Sequence, residues 1–308
     1  MRDDDTFLPV AYAILAIFVL STMDAVVKWM GQSLPVPQIV FLRLLLGAVF
    51  ALSVMAAVTG LRWPSRKSLK ANGLRALVMY ATGILFFFAL TRLPLAEAIT
   101  FAFTAPFFMA LIAWPLLGER ILARSALAIG LGFVGIMVIV SDDLASGWTR
   151  LDPIGVACAL SAAVCYSLAM VLLRKHSADD PVPVLIGVQT SIGVLIALPA
   201  GIMTWEPVTE ASLWGAAVLI GALGTIGHLL LGTAFARSAA QRIASVEYTG
   251  FLWAILLGWL MFGEVPALQT YIGAAIIVTA ALIVMRRTSS PVPQPVTRRT
   301  PALPDDEV

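Results

Sequence analysis

Long apolar stretches alternate with short polar segments along most of the chain. Stretches of about 20 residues, broken by charge, proline or turn residues, predict ten helices that can each cross a hydrocarbon core of about 30 Å. The predicted helices cover residues 8–30, 37–59, 71–91, 95–117, 122–140, 153–174, 182–203, 211–236, 243–262 and 266–286. The pattern predicts an all-α integral membrane protein with ten transmembrane helices.

Composition supports a bilayer environment for these helices. Of the 308 residues, 60% are hydrophobic and 12% are charged, whereas about a quarter of a soluble domain is charged. The net charge is +2 and the basic residues form no stripe, so no nucleic-acid partner is expected. The expected partners are the lipid bilayer and a small solute.

The distribution of lysine and arginine predicts the orientation. Sixteen of the 20 basic residues fall on one side of the predicted helices, while Lys28, Arg92 and Arg150 fall on the other and Arg43 lies within a helix. Basic residues are retained on the cytoplasmic side. The sequence therefore predicts a multi-pass protein of the cell inner membrane with a cytoplasmic N-terminus and a cytoplasmic C-terminus.

The segments outside the helices complete the predicted organisation. Residues 1–7 form a cytoplasmic N-terminus, and residues 141–152 form a periplasmic connector between two five-helix units, 8–140 and 153–287. Residues 288–308 are proline-rich and polar, which is typical of a disordered cytoplasmic tail.

The two units look like repeats of one another. A shift of 145 positions superposes Leu85 on Leu230, Ala89 on Ala234, Arg92 on Arg237, Thr104 on Thr249, Leu111 on Leu256, and Gly118-Glu119 on Gly263-Glu264. Because each unit holds an odd number of helices, the second must enter the membrane from the opposite side. Inverted repeats are typical of secondary transporters, whose substrate site lies near the midplane.

Several short motifs resemble the EamA family of the drug/metabolite transporter superfamily. They are DAVVKWMG in helix 1, VFLRLLLGA in helix 2, PLLGER at the end of helix 4 and WLMFGEVP at the end of helix 9. The resemblance covers about residues 8 to 287 and implies two EamA domains. It also implies transport of small solutes by alternating access around a cavity formed by helices 1, 3, 4, 6, 8 and 9.

Charged residues at membrane depth are candidates for the substrate path or for gating, because each needs a partner or an aqueous cavity. Asp24 and Arg43 lie at matching depth in helices 1 and 2, and Lys28 lies one turn beyond Asp24. Glu97, at the start of helix 4, could join them. This predicted outer cluster is either a structural ion pair or a gate that meets an ionic substrate.

The second unit offers its own candidates. His228 in helix 8 and Glu247 in helix 9 could form a pair that titrates near neutral pH and carries a proton. Alternatively, His228 bonds only to a neighbouring carbonyl. Tyr248 and Trp253 could line a cavity and stack on a flat substrate, or they could simply pack.

Proline and glycine positions predict helix shape and packing. Pro106 should kink helix 4 because it removes a backbone hydrogen bond, whereas its repeat mate is Phe251. Glycines at small spacings in helices 5 and 8 should permit close helix contact. These glycines are Gly130, Gly132, Gly135, Gly221, Gly224 and Gly227.

Other function classes find little support in the sequence. The chain has no phosphate-binding GxxxxGK[ST] loop and only two histidines, so we expect no enzyme activity, cofactor or metal. The sequence favours export of amino acids or related compounds. The alternatives are uptake of a vitamin or nucleoside-like cofactor, cationic drug efflux, or a non-transporting membrane receptor or scaffold. A monomer suffices for transport, and a homodimer is compatible with it.

Overall fold

The computed structural model describes residues 4–60, 66–118, 123–175, 182–237 and 246–285. Within these residues the regular structure is helical and no strand occurs. The helices are α1 Asp4–Met30, α2 Val36–Thr59, α3 Arg66–Arg92, α4 Leu95–Ala102, α5 Ala105–Leu117, α6 Ala123–Ser146, α7 Pro153–Lys175, α8 Val182–Met203, α9 Ala211–Arg237, α10 Gly250–Phe262 and α11 Leu268–Met285. The all-α prediction is confirmed for the described residues.

Eight segments of the described chain are long and apolar enough to cross a membrane. One of them, Leu95–Leu117, consists of α4 and α5 together. Helix α10 and residues 268–280 of α11 are also apolar but shorter. The protein is therefore a multi-pass membrane protein, with eight of the ten predicted spans reaching full length in the described residues.

The helices pack in a recurring set of pairs. Helix α1 packs along α9 and α3 packs along α7, while α2 packs along α8 and α6 packs along α11. The largest buried side chains include Met30, Leu90, Leu93, Leu95 and Ile139. These five residues lie toward the end of the bundle at which α1 and α3 end and α4 begins.

Glycines allow α6 and α11 to approach closely. A Cβ atom on Gly135 would lie 2.6 Å from Ile277 Cγ1, and one on Gly273 would lie 2.3 Å from Ile139 Cγ1. Both distances are shorter than any carbon–carbon contact allows, so each glycine accommodates an isoleucine of the facing helix. By contrast, a Cβ on Gly130 would meet no atom within 4 Å, so this member of the predicted series makes no close contact.

The glycines of α9 also lie against neighbouring helices. A Cβ atom on Gly221 would be 2.9 Å from the Gly47 backbone nitrogen, and one on Gly227 would be 2.6 Å from Leu20. Gly224 faces the Arg43 guanidinium, and a Cβ atom added there would lie 3.1 Å from Arg43 Nε. Small residues on α9 therefore make room for both α1 and α2.

The fourth span is broken at residues 103 and 104. Thr104 Oγ1 donates to the Phe101 carbonyl at 2.6 Å, and Pro106 is the second residue of α5. The chain also turns at residues 248 and 249, where Thr249 Oγ1 donates to the Val246 carbonyl at 2.7 Å. No proline follows this second turn. A turn in which a threonine hydroxyl bonds to the carbonyl three residues earlier therefore forms both with and without a following proline.

One end of the bundle is tied together by bonds among connectors and the helix turns next to them; we call it the linked end. It comprises residues 31–35, 93–94, 147–152, 204–210 and 263–267 and the adjoining helix turns. Its bonds include Arg92 to Asp152, Lys28 to Glu264, Gln269 to Asp142, and Gln38 to the Glu206 backbone.

Helix α6 differs from its predicted limits. It continues to Ser146, six residues past the predicted end at 140. The predicted connector 141–152 therefore begins with helix, because the Asp143 carboxylate is buried and accepts the backbone N–H groups of Arg150 and Leu151. The predicted tail at 288–308 lies outside the described residues.

Candidate functional site

A cavity lies among α2, α3, α8 and α9. Its volume is about 690 Å³, including its open mouth. It is lined by Val40, Arg43, Leu44, Gly47, Ala76, Met79, Tyr80, Gly83, Ile186, Gln189, Thr190, Gly193, Gly221, Gly224, Thr225 and His228. Of the six helices that the family resemblance implies, predicted helices 3 and 8, which are α3 and α9, line this cavity, and predicted helices 1, 4, 6 and 9 do not. The other two lining helices, α2 and α8, are predicted helices 2 and 7.

The lining residues are related by a constant sequence spacing. Each residue from α2 has a partner on α8 that lies 146 positions later, and each residue from α3 has a partner on α9 that lies 145 positions later. The pairs are 40 with 186, 43 with 189, 44 with 190, 47 with 193, 76 with 221, 79 with 224, 80 with 225 and 83 with 228. Both halves of the chain thus line the cavity with corresponding positions.

The paired positions differ in chemistry. Arg43 corresponds to Gln189, Tyr80 corresponds to Thr225, and Gly83 corresponds to His228. Corresponding positions of the two halves therefore carry different polar groups, with the guanidinium on α2 and the imidazole on α9.

Among the described residues, the Arg43 guanidinium has only weak hydrogen-bond acceptors. Its Nε lies 3.2 Å from Met23 Sδ, a weak acceptor, and its plane lies over the Phe87 ring at 5.6 Å. Asp24 is near enough to interact electrostatically, yet no oxygen of Asp24 lies within 4.0 Å of an Arg43 nitrogen. Donors of Arg43 are therefore available to a molecule in the cavity.

His228 also borders the cavity, but it does not pair with Glu247. Its Nδ1 lies 2.6 Å from the Gly224 carbonyl oxygen, and no His228 nitrogen lies within 4.0 Å of a Glu247 oxygen. The predicted pair is thus not formed in this structure, because the imidazole bonds to its own helix, in a region where Arg43 and Arg75 also act on it electrostatically.

Arg75 brings a second guanidinium close to the cavity. It is 8% exposed and donates from Nε to Gln189 Oε1 at 3.1 Å. Sequence reasoning placed Arg75 among the cytoplasmic charges, because a basic residue near a predicted helix start resembles a topology signal. Its buried contact with a cavity residue adds positive potential to this region.

The Lys28 ammonium pairs with a carboxylate other than Asp24. Its Nζ forms an ion pair with Glu264 at 2.5 Å, donates to the Leu93 carbonyl and lies 5.3 Å from the Phe262 ring centroid. Glu264 uses its second oxygen to accept the Leu95 backbone N–H at 2.8 Å. The predicted outer cluster is therefore wrong for Lys28, since the side chain reaches the neighbouring connectors of the linked end.

Glu97 belongs to a third group. Its Oε1 accepts a hydrogen bond from Thr270 Oγ1 at 2.8 Å and pairs with Arg150 at 3.2 Å. Arg150 also pairs with Asp143 at 3.1 Å. Glu97 is 1% exposed, so it is buried in the linked end rather than joined to Asp24 and Arg43.

Glu247, Tyr248 and Trp253 lie before, within and after the turn at 248 and 249, and none of them lines the cavity. Glu247 is close enough to Tyr166 and Tyr248 to interact electrostatically. Tyr248 packs edge-on against Phe103 with ring centroids 5.0 Å apart, and Trp253 packs against Phe18 at 4.9 Å.

One ion pair at the linked end lies outside the membrane-spanning segments. Arg92 Nη1 lies 2.8 Å from Asp152 Oδ2. The Arg92 guanidinium lowers the pKa of Asp152 below its ordinary value, and the Ile154 and Gly155 N–H groups, which donate to Asp152 Oδ1, contribute to this shift. Asp152 therefore caps α7 as an anion.

Sequence reasoning missed Glu264, Thr270 and Gln189 as site residues. Glu264 could have been found from the sequence, because it belongs to the repeated Gly-Glu motif. Thr270 and Gln189 could not, since a hydroxyl or amide in an apolar helix does not reveal which neighbour it faces.

These features define a multi-pass membrane protein with a largely apolar cavity that carries Arg43, Gln189 and His228 and is lined by both halves of the chain. The sequence model of the EamA-like transporter family matches the chain twice, at residues 7–141 and 153–286. The chain belongs to the EamA-like transporter family.

Several named relatives cover nearly the whole chain. The pseudopaline exporter of Pseudomonas aeruginosa strain UCBPP-PA14 is 30% identical, over 90% of this chain and 95% of the relative. The riboflavin transporter of Rhizobium johnstonii is 28% identical, over 89% and 90% of the two chains. The S-adenosylmethionine uptake transporter of Rickettsia prowazekii is 21% identical, over 90% and 92%. These relatives are transporters rather than enzymes.

One solved crystal structure has a similar fold. It superposes with a TM-score of 0.61 at 23% identity and covers 94% of this chain and 100% of the solved chain. At this identity the match establishes the fold alone.

Proposed function

We propose that the protein is a secondary transporter of the cell inner membrane that exports amino acids or related carboxylate-bearing compounds by alternating access. The observation that carries the proposal is the Arg43 guanidinium, which faces the cavity with a thioether as its hydrogen-bond acceptor. A guanidinium binds a carboxylate through two parallel hydrogen bonds. A small carboxylate in the cavity would therefore satisfy donors that the protein leaves available.

Neighbouring groups would complete the recognition of such a solute. The bonded pair of Arg75 and Gln189 favours negative charge in the same region. Asp24 does not line the cavity but interacts electrostatically with Arg43, so we propose that it attracts the ammonium group of an amino acid bound there. A zwitterion could thus match both charges.

Alternating access requires two halves that can move around the cavity, and we propose inverted repeats at 8–140 and 153–287. The packing of α1 on α9 corresponds to that of α7 on α3, as a two-fold axis requires. Phe103 and Tyr248, 145 positions apart, contact each other. Residues on such an axis touch their own counterparts, so these contacts support the arrangement.

The linked end is periplasmic in this proposal, and both termini are cytoplasmic. The support is the excess of basic residues in the segments that lead away from the linked end. Bonds between the halves, such as Lys28 to Glu264 and Thr270 to Glu97, hold the linked end closed. The structure then corresponds to a state whose periplasmic side is shut.

The direction of transport rests on the relatives. The pseudopaline exporter is 30% identical to this chain, whereas the transporters named for riboflavin or for S-adenosylmethionine uptake are 28% identical or less. This difference supports export. Uptake of a flat vitamin or nucleoside-like cofactor is the second candidate, because Phe103, Tyr248, Phe18 and Trp253 form aromatic pairs near the break in the fourth span. Cationic drug efflux and a receptor or scaffold role have no comparable support.

Counterflow in proteoliposomes tests the proposal. Liposomes that contain the purified protein are loaded with an unlabelled amino-acid panel, and uptake of labelled neutral, aromatic and acidic amino acids and of riboflavin is measured. Saturable exchange of a carboxylate is expected for the wild type, with at least a tenfold loss in Arg43→Gln. Such a loss corresponds to at least about 1.4 kcal/mol, and a hydrogen bond to a charged group contributes about 1.5–3 kcal/mol.

Two variants serve as controls for the counterflow experiment. Arg43→Lys keeps the positive charge but cannot donate two parallel hydrogen bonds to a carboxylate. It should therefore exchange more than Arg43→Gln and less than the wild type. Ser53→Ala changes an exposed residue of α2 outside the cavity, whose hydroxyl donates only to the Val49 carbonyl of its own helix, and it should exchange like the wild type. Exchange of riboflavin alone would favour the vitamin transporter, while unchanged carboxylate exchange in Arg43→Gln would contradict the proposed role of Arg43.

A further inference from the structure

The Gln189 amide differs from the hydroxyl groups that line the same cavity. Thr190 Oγ1 donates to a carbonyl of its own helix at 2.7 Å, and Thr225 Oγ1 donates to a carbonyl of α2 at 3.1 Å. Both threonine donors are therefore used within the helix bundle. The side chain of Gln189 makes its hydrogen bonds to Arg75 alone among the described residues.

Arg75 determines which way the Gln189 amide faces. Nε of Arg75 donates to Gln189 Oε1 at 3.1 Å, and Nη2 donates to the same oxygen. A guanidinium has donors only, so the atom that faces it must be the amide oxygen and not the amide nitrogen. The two N–H donors of Gln189 Nε2 therefore remain available on the other side of the amide.

These N–H donors are accessible from the cavity. Gln189 lines the cavity and is partly exposed, and no described residue accepts a hydrogen bond from its Nε2. In the described part of the chain, no carboxylate oxygen lies within 4.0 Å of the Arg75 guanidinium. The uncompensated charge of Arg75 thus holds the amide dipole with its positive N–H end toward the cavity.

The Gln189 amide and the Arg43 guanidinium lie at a similar depth. A Cβ atom on Gly224 would be 3.1 Å from Arg43 Nε, so the guanidinium lies beside Gly224. Gly224 is 13 residues from the first residue of α9, and Gln189 is 14 residues from the last residue of α8. Both of these helix ends belong to the linked end, so both positions lie about 20 Å from it.

We propose that the Gln189 amide is a second binding group for the solute carboxylate and that Arg75 is the residue that positions it. Two adjacent helices then donate to one carboxylate, which has enough lone pairs for both the guanidinium of α2 and the amide of α8. Because both groups are donors, the site selects a carboxylic acid over its neutral amide. This inference rests on the proposed function, since it concerns the solute that Arg43 binds.

Gln189→Glu provides the test. The new carboxylate can still accept from both Arg75 nitrogens, so the melting temperature should not fall. Toward the cavity, however, it replaces two donors with an acceptor that repels an anion. In counterflow, the KM of a carboxylate solute should therefore increase by at least about tenfold.

Exchange of acids relative to their amides distinguishes recognition from a structural defect. The labelled pairs are leucine with leucinamide, phenylalanine with phenylalaninamide, and glutamate with isoglutamine. For the pairs that the wild type exchanges, the acid should exceed the amide, and Gln189→Glu should lower this ratio by at least about tenfold. An unchanged ratio, or equal losses for acid and amide, would overturn the role of Gln189.

Gln189→Met is the second variant at this position. It removes the amide donors without adding a charge, so the ratio of acid to amide exchange should fall, but by less than in Gln189→Glu. If Gln189→Glu does not fold, Gln189→Met decides the question, and a wild-type ratio in Gln189→Met would overturn the proposal.

A double-mutant cycle tests the positioning role of Arg75. In Arg75→Gln the amide loses the cation that orients it, so the KM of the acid should rise by about threefold or more while the maximal rate changes little. In the Gln189→Met background, the same substitution should raise the KM no further, because no amide is left to position. Equal increases in both backgrounds would overturn the positioning role.

Two further variants complete the experiment. Gln32→Glu adds the same negative charge at an exposed connector position and should exchange like the wild type. If Arg43→Gln loses acid exchange while Gln189→Glu keeps the wild-type ratio, the role of Gln189 is overturned and the proposed function stands. If the wild type exchanges no acid of the panel, both are overturned.

Discussion

At the residue scale, function depends on which neighbour each charged side chain reaches. Lys28, Arg43 and Glu97 lie toward the same side of the membrane in the sequence, yet they join three separate groups in the structure. Helix periodicity gives the depth of a residue. It does not give the rotation of one helix relative to the next, so the predicted outer cluster could not be resolved further from sequence.

The Lys28–Glu264 pair should contribute to the stability of the linked end. Its side chains are 12% and 20% exposed, so removing one partner leaves a largely desolvated charge. We expect Lys28→Gln to lower the free energy of unfolding by about 2–4 kcal/mol, and Lys28→Gln with Glu264→Gln to recover about 1–2 kcal/mol of this loss.

A double-mutant cycle on thermal unfolding in detergent measures this coupling. Strictly additive effects of the two substitutions would show that the contact contributes nothing of its own.

Asp152 should make a small contribution to stability that depends on pH. Its pKa is lowered from the ordinary 3.8, so its stabilisation is present above pH 4 and is lost as the pH falls through the lowered value. Asp152→Asn keeps the cap on α7 but loses the charge. We expect it to cost less than about 1 kcal/mol at pH 7, because exposed pairs are screened by solvent.

Melting temperatures of the wild type and Asp152→Asn, recorded from pH 7 to pH 3, check this prediction. The two curves should converge at low pH, and a difference that grows in acid would contradict the assigned shift.

At the element scale, small residues set the distance between helices. Gly135 accommodates Ile277 where α6 crosses α11. A methyl group there must displace both the isoleucine and the Gly273 carbonyl oxygen, which is 2.9 Å from the added Cβ. We expect Gly135→Ala to destabilise the protein by about 1–3 kcal/mol.

Gly130→Ala is the comparison on the same helix. Its added Cβ meets nothing within 4 Å, and alanine is the better helix former by up to about 1 kcal/mol. Its melting temperature should equal or exceed that of the wild type, whereas equal losses for the two variants would show that the α6–α11 crossing is not a tight contact.

The broken fourth span should not depend on its proline. The chain turns at residues 248 and 249 without a proline, and Thr104 and Thr249 bond to the carbonyl three residues earlier in both turns. We therefore expect Pro106→Ala to leave the turn at 103 and 104 in place.

Cross-linking of Phe103→Cys to Tyr248→Cys reports on the turn, because the two rings are in contact at 5.0 Å. The yield should be the same with Pro106 and with Pro106→Ala, and a large drop in the alanine variant would make the proline the cause of the break.

Sequence periodicity located most helices to within a few residues but not their interruptions. The fourth span reads as one apolar run, since neither Phe103 nor Thr104 is unusual in a membrane helix. The end of α6 was placed too early because Asp142 and Asp143 look like connector residues. Burial of the Asp143 charge depends on backbone N–H groups at 150 and 151, which only the folded chain brings together.

At the scale of the whole molecule, the cavity joins the two halves of the chain. Corresponding positions of α2 with α8 and of α3 with α9 line it. The spacing of the repeat was readable from sequence, because the Gly-Glu motifs recur 145 positions apart. The polar chemistry of the cavity was less readable, since Arg43 and His228 are brought together only by the packing of α9 against α2.

The central claim is that this cavity is the transport site and opens to one side of the membrane at a time. Its most direct test is the accessibility of Thr190→Cys, a cavity position, in a background with Cys158→Ala and Cys165→Ala. A charged thiol reagent should label this cysteine from the cytoplasmic side of oriented vesicles, transported solute should protect it, and labelling should stop counterflow. Labelling that leaves counterflow unchanged would contradict the account.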